Sequence, residues 1–409
     1  MFRMNLWTYP TYFDISNAME KLYKYLQQEI RKSLEDTPIA QEAQAFYEEN
    51  ANRAECMFGY PSNNVTLSPL TQYLLLRHYN SPFSNNCGDV EERGNYALDT
   101  KDIERRIVQF YADKFGMGDT PWGYVTSGGS ESNSCGIALA YNKYPNGIVY
   151  YSQSAHYSVE KFAKLYRRVE IPTKPNDVMD LDVLFAEILK NFRADGSPAN
   201  LILTHGTTKY GECDAVDAIV AFLNEHKIPH YIHLDAALYG GIPNNQRNAP
   251  LIRNAKERGI DSVCVSMHKY LGFPDVHSVF VSTKKPQGHA VAYIGQRDTT
   301  VSGSRSIPAF ALYNHILEQE QGQAEDAYEK NILYFEERLQ TLRIPYYRAP
   351  LANIFVIDKP SDEVCKAFQL SCFFDAPCED DLEKAHILIF PHHTKKAMEK
   401  LLSALQLYE

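Results

Sequence analysis

The chain is poor in the features that mark membranes, secretion and metal frames. No stretch approaches the ~18 consecutive apolar residues of a membrane span. No apolar run of about seven residues stands behind a basic stretch near the N-terminus, which predicts no secretory leader and a cytoplasmic protein. Its eight cysteines (Cys56, Cys87, Cys135, Cys213, Cys264, Cys365, Cys372 and Cys378) are scattered and include no Cys-x-x-Cys pair. That is the pattern of free thiols in a reducing compartment, not of a disulfide frame or a metal site. There is no internal repeat and no low-complexity tract. Positive charge is also short: 41 Lys and Arg stand against 51 Asp and Glu, a net charge of −10. The deficit argues against nucleic acid or an anionic membrane as a partner and leaves a small-molecule enzyme.

What is present is a chain of 409 residues, 44% hydrophobic, enough for two or three domains at roughly 150 residues each. Residues 16–35 read as an amphipathic helix, with Met19, Leu22, Tyr23, Leu26 and Ile30 at helical spacing. A second helix is expected over 102–115, with loop-rich sequence between the two. From about residue 122 short apolar runs alternate with helical patterns: WGYVTS, GIVYYS, NLILTHG, HYIHLDAAL, DSVCVSMHK and HSVFVS read as strands, with helices over 131–144, 159–165 and 216–225 between them. This alternation predicts βαβ units and a mostly parallel sheet covered by helices. Beyond residue 286 a long helical stretch (309–342), two strands (NIFVID and HILIF) flanking a short helix, and a last helix form a smaller α+β unit. The expected organisation is an N-terminal arm (1–60), a large α/β domain (61–285) and a small C-terminal domain (286–409).

Three sites at strand ends carry chemistry. The turn Thr126-Ser127-Gly128-Gly129-Ser130-Glu131-Ser132-Asn133 lies between a strand and a helix, where glycines and free helix N–H groups suit a phosphate. It is neither a dinucleotide nor a nucleoside-triphosphate motif. Asp235 ends an apolar strand and is followed by the small residues Ala236 and Ala237. Lys269, in Ser266-Met267-His268-Lys269, follows another strand, and burial there would make its amine a nucleophile. Taken singly, each has a plainer reading: an ordinary capped turn, a helix-capping carboxylate, a lysine reaching to solvent. Together, a phosphate cradle, then an Asp, then a Lys in one α/β sheet is the layout for pyridoxal 5′-phosphate (PLP).

With these segments in place the chain resembles the PLP-dependent group II amino-acid decarboxylases, and most of all the bacterial histidine decarboxylases. The matching segments are FGYP (58–61), NNCGD (85–89), GYVTSGGSESN (123–133), YYSQSAHYSVEK (150–161), GTTKYGECD (206–214), HLDAAL (233–238), GIDSVCVSMHKYLG (259–272) and TVSGSR (300–305). The resemblance implies the aspartate aminotransferase-like fold type I of PLP-dependent transferases. It implies that Lys269 forms the Schiff base, that Asp235 pairs with the pyridine nitrogen, and that His156 stacks on the ring and helps position substrate. Ala237 would touch the other ring face. Gly128, Gly129, Ser130, Ser266 and His268 would hold the phosphate, and Thr207 would lie near the ring hydroxyl or the substrate carboxylate. Ser302 and Ser304 would contact substrate across the interface of a homodimer with shared active sites. The implied reaction is α-decarboxylation of an L-amino acid, first L-histidine. Decarboxylation of another amino acid such as serine, or an aldehyde-forming branch, is the alternative. Met267 stands where the family usually has Gly, Asp275-Val276-His277-Ser278 replaces a Pro-Cys-Gly stretch, and Ser132 replaces a common Gly.

Overall fold

The computed structural model describes residues 37–374 and 383–406. The helix expected over 16–35, most of the expected arm and Cys378 lie outside the described residues. Two helices, α1 (Pro38–Ala54) and α2 (Pro69–Tyr79), occupy a stretch expected to be loop. Thr37 and Ser68 cap them by accepting first-turn amides, and each is followed by a proline, whose missing N–H would be unpaired there in any case. The next helix, α3 (Lys101–Phe115), agrees with the sequence reading.

The centre is a seven-stranded sheet. Its members are β1 (Trp122–Thr126), β2 (Ile148–Ser152), β3 (Arg168–Ile171), β6 (Ala199–Thr204), β7 (His230–Asp235), β8 (Ser262–Ser266) and β9 (Ser278–Ser282), in the order β1-β9-β8-β7-β6-β2-β3. A short antiparallel pair, β4 (Thr173–Lys174) with β5 (Val178–Met179), lies beside it. Strand β9 runs antiparallel to both neighbours, and the other pairings are parallel. The fold is thus the expected mostly parallel α/β sheet.

Alternate side chains feed two cores. Val125, Val263, Val265, Val279 and Val281 face α3, while Tyr124, Cys264 and Phe280 face α4 (Gly129–Lys143). Strands buried on both faces are mostly apolar between polar end residues, which makes them legible as short runs. Helices α5 (Tyr157–Ala163), α6 (Leu181–Asp195) and α7 (Val216–Glu225) complete the crossovers.

Past β9 comes an unexpected antiparallel pair, β10 (His289–Val291) and β11 (Gln296–Asp298). The helical stretch expected over 309–342 is two helices, α8 (Ala309–Gly322) and α9 (Ala327–Thr341). The break falls where Gly322 ends the first helix, Gln323 turns extended and Asp326 takes a left-handed conformation. Ala309, Ala311, Leu312 and Ile316 of α8 pack in the core of the large sheet. The small domain is a three-stranded antiparallel sheet, β12 (Ile354–Asp358), β14 (Glu383–Leu388) and β13 (Ser371–Phe374), with α9, α10 (Asp362–Phe368) and α11 (Lys395–Gln406). Its core of Phe335, Phe355, Met398 and Leu401 also takes in Phe58 from far earlier in the chain.

Candidate active site

Strand pairing gathers the three motifs. Thr126 at the end of β1 and Ser266 at the end of β8 both lie opposite Ser278, the first residue of β9. Asp235 ends β7, one strand further along. The carboxyl ends of β1, β7 and β8 thus converge on one edge, which is where open α/β sheets place ligands.

Helix α4 begins at Gly129, two residues before the expected start, so Gly129 and Ser130 are first-turn positions with free amides. Gly128 precedes it at φ 126°, a conformation an L side chain rarely adopts, and a Cβ there would stand 3.2 Å from Val276. A Cβ on Gly129 would stand 3.2 Å from Ser266 Oγ, which itself lies 3.0 Å from Ser278 Oγ. The Ser127 amide donates to Glu131 at 2.8 Å, closing the turn. His268 follows the end of β8, two residues beyond Ser266, and its Nδ1 is buried.

Asp235 is 5% exposed and tightly held. Asn133 Nδ2 donates to one of its oxygens at 2.7 Å, and the Ala237 amide to the other at 3.1 Å. The Asn133 amide also donates to Ser158 Oγ at 3.0 Å, and its oxygen meets His233 Nε2 at 3.1 Å. His233 Nδ1 contacts Ser262 Oγ, which accepts from Tyr231 OH. Burial pulls His233 down to about 4, so it is neutral.

His156 caps α5 through Nδ1, which accepts the Ser158 amide and lies 2.8 Å from Ser158 Oγ. An accepting Nδ1 places the ring hydrogen on Nε2. Burial lowers its pKa, Asp235 opposes that shift, and Lys269 adds to it. Burial also lowers Lys269, against the opposing pull of Asp235 and Cys264. Its carbonyl accepts the Asn63 amide at 3.0 Å, and Asn63 Nδ2 donates to the Tyr270 carbonyl. Thr207 is buried in the loop after β6, its hydroxyl accepting the Glu212 amide at 3.1 Å.

Ser302 and Ser304 are bonded within and beside their own segment: the Ser302 carbonyl accepts from Thr300 Oγ1 at 2.6 Å, and Ser304 Oγ accepts from Asn85. The segment meets β1 where the Val301 amide donates to Tyr124 OH, itself bonded to Glu131, and where Arg305 lies over the Tyr124 ring at 5.0 Å. Asn133 and His233 lie inside the motifs named from the sequence but have no role assigned there, and Ser158 and Cys264, whose thiol lies 3.6 Å from Asp235, have none either. The available signal was weak: Asn133 closes the Gly/Ser motif, Ser158 follows His156 by two, and His233 precedes Asp235 by two.

A glycine turn where each added Cβ would meet a neighbour at 3.2 Å, a fixed buried carboxylate and a lysine whose pKa burial lowers fit a phosphorylated pyridine aldehyde. Fold and site together define a PLP-dependent enzyme of fold type I. The pyridoxal-dependent decarboxylase conserved domain matches residues 141–303, and the chain belongs to that family as an amino-acid carboxy-lyase. It is 33% identical over 361 residues to a histidine decarboxylase of Pseudomonas entomophila (strain L48), covering 83% of each chain. It is 32% identical over 360 residues to serine decarboxylase 2 of Oryza sativa subsp. japonica, covering 84% of this chain and 72% of that one. The solved structure of L-methionine decarboxylase from Streptomyces sp. 590 shares the fold, with a TM-score of 0.77 and 21% identity over 91% of this chain and 96% of the other. No helix among the described residues is long and apolar enough to cross a membrane.

Proposed function

We propose that the protein decarboxylates L-histidine to histamine at the edge formed by Gly128, Asp235 and Lys269. The substrate rests on histidine decarboxylases of Pseudomonas entomophila and Acinetobacter baumannii at 33% and 32% identity, matched over 83% and 81% of their lengths. Serine is the second reading, because a rice serine decarboxylase is as similar in identity. The chemistry rests on one observation: a buried lysine and a buried carboxylate meet beside a glycine turn at one sheet edge.

PLP supplies, when bound, an electron sink for the pair left on Cα as carbon dioxide departs. The chain's residues do the rest. Lys269 is the amine that carries the cofactor, and burial favours its neutral, nucleophilic form. Gly128, Gly129, Ser130, Ser266 and His268 hold the phosphate; the acidic chain meets that anion with local amides and an imidazole. Asp235, fixed by Asn133 and the Ala237 amide, holds a proton on the pyridine nitrogen. Ala237 would line one ring face and His156 the other, with Nε2–H left to donate a hydrogen bond to substrate. Thr207 lies toward the ring hydroxyl or the substrate carboxylate. Ser302 and Ser304 serve the neighbouring site of a homodimer.

The test is carbon dioxide release from a panel of L-amino acids, with amine, aldehyde and peroxide measured in parallel. Histamine formed in step with carbon dioxide is the expected result. Turnover of serine alone would replace the substrate, and aldehyde with peroxide would replace the reaction.

A further inference from the structure

The small domain carries a pair of thiols that the decarboxylation does not use. Cys365, in the middle of α10, is buried, and Cys372, on β13, is exposed. Their sulfurs lie 3.4 Å apart. A disulfide requires about 2.05 Å, so the sulfurs, already in contact, must approach further for a bond to form. The seven-residue separation spans one tight turn, in which Gln369 takes a left-handed conformation.

The surroundings divide the roles of the two thiols. Burial and the adjoining Cys372 push Cys365 up to about 12, which leaves first attack to the exposed partner. The turn between them is also joined to the active-site framework. Ser371 Oγ donates to the Gly59 carbonyl at 2.9 Å. The ring of Phe373 lies 5.4 Å from Lys209 Nζ and 5.6 Å from Tyr210, in the loop that carries Thr207.

We propose that Cys365 and Cys372 are a reversible thiol-modification site that closes to a disulfide in response to a low-molecular-weight disulfide. The Cys372 thiolate attacks one sulfur of that oxidant, breaking its S–S bond and expelling one small thiol, which takes up the cysteine proton. The Cys365 thiolate then attacks the Cys372 sulfur, and the second small thiol leaves with the second proton. The protein loses two hydrogens and the oxidant gains them.

The experiment equilibrates the holoenzyme in glutathione buffers of increasing disulfide fraction, quenches with acid, alkylates the free thiols and maps the peptides. Trypsin, cutting after Lys366, separates Cys365 from Cys372. Cleavage before Asp375 separates Cys372 from Cys378. The expected product is a Cys365–Cys372 cross-linked peptide with loss of two alkylatable thiols, reversed by dithiothreitol. In Cys365→Ser the reaction should stop as a glutathione adduct on Cys372, and in Cys372→Ser position 365 should stay alkylatable. Full alkylation of both thiols in wild type at the oxidising end, or Cys372 cross-linked to a different cysteine, overturns the proposal. The wild-type map decides this even if a variant fails to fold.

Discussion

Asn133 holds both sides of a conflict. Its amide group donates to Asp235 and to Ser158, and its oxygen meets the neutral His233, so one side chain fixes the carboxylate and links it to the His156 cap. Asn133→Ala strips a donor from a buried carboxylate and a partner from a buried imidazole, each costing about 1–3 kcal/mol. We expect a lower thermal midpoint, weaker cofactor retention and a kcat reduced by roughly ten- to a hundredfold with KM little changed. A variant with wild-type cofactor affinity and kcat would remove Asn133 from any positioning role. Lys269→Ala is expected to lose at least about a thousandfold in turnover together with the visible absorbance of lysine-bound cofactor. Retained absorbance and turnover would place the reacting amine elsewhere. Lys269 and Asp235 were legible because each follows an unbroken apolar strand. Asn133 was not, since its role depends on β7 and α4 being brought together in three dimensions.

Among the elements, the legible ones were those with strong periodicity, such as the two-faced strands and α3. The break between α8 and α9 was missed because apolar residues on both sides keep a helical spacing through Gly322. Strand β13 has only four residues, and α2 is announced by little more than Ser68 and Pro69. A clasp of histidines was equally invisible. His386 meets the Gly59 carbonyl, His392 meets Asn63 Oδ1, and His393 meets the Met57 carbonyl. Burial pulls His392 down to about 3 and His393 to about 4, as it does His205 and His233 to about 4. Between the ordinary histidine pKa of ~6.5 and about 4 the unfolded chain binds protons that the folded chain does not, so stability falls as pH falls through that window. Asp214, pushed up to about 7 by burial, acts in the opposite direction, since its contribution is lost as pH rises. Four imidazoles outweigh one carboxyl, and the thermal midpoint is expected to drop from pH 7 to pH 4.5. A flat or rising midpoint on acidification would contradict neutral imidazoles in the clasp.

For the whole molecule, a net charge of −10 sets the background against which a cofactor phosphate must be held, and in the proposed site helix amides and one imidazole would meet it. Large apolar side chains stand exposed on α1 (Phe46, Tyr47), on α2 (Leu76, Tyr79) and at Phe83, Tyr293 and Phe310. This is surface that the proposed homodimer would have available to bury. If active sites are shared, specific activity should fall on dilution to nanomolar concentration as light scattering shows dimer giving way to monomer. Undiminished activity of a monomer would contradict sharing.

A Cβ on Gly59 would fall 2.2 Å from the Gln369 carbonyl oxygen, so the chain passes flush against the small domain there. Four residues later the Asn63 amide is bonded to the carbonyl of Lys269 itself. Residues 57–63 therefore form a strut with one end seated in the small domain and the other bonded to the backbone of Lys269. The backbone that carries that lysine is thus tied to the C-terminal unit by seven residues, so the position of the small domain and the position of the lysine's main chain are set together.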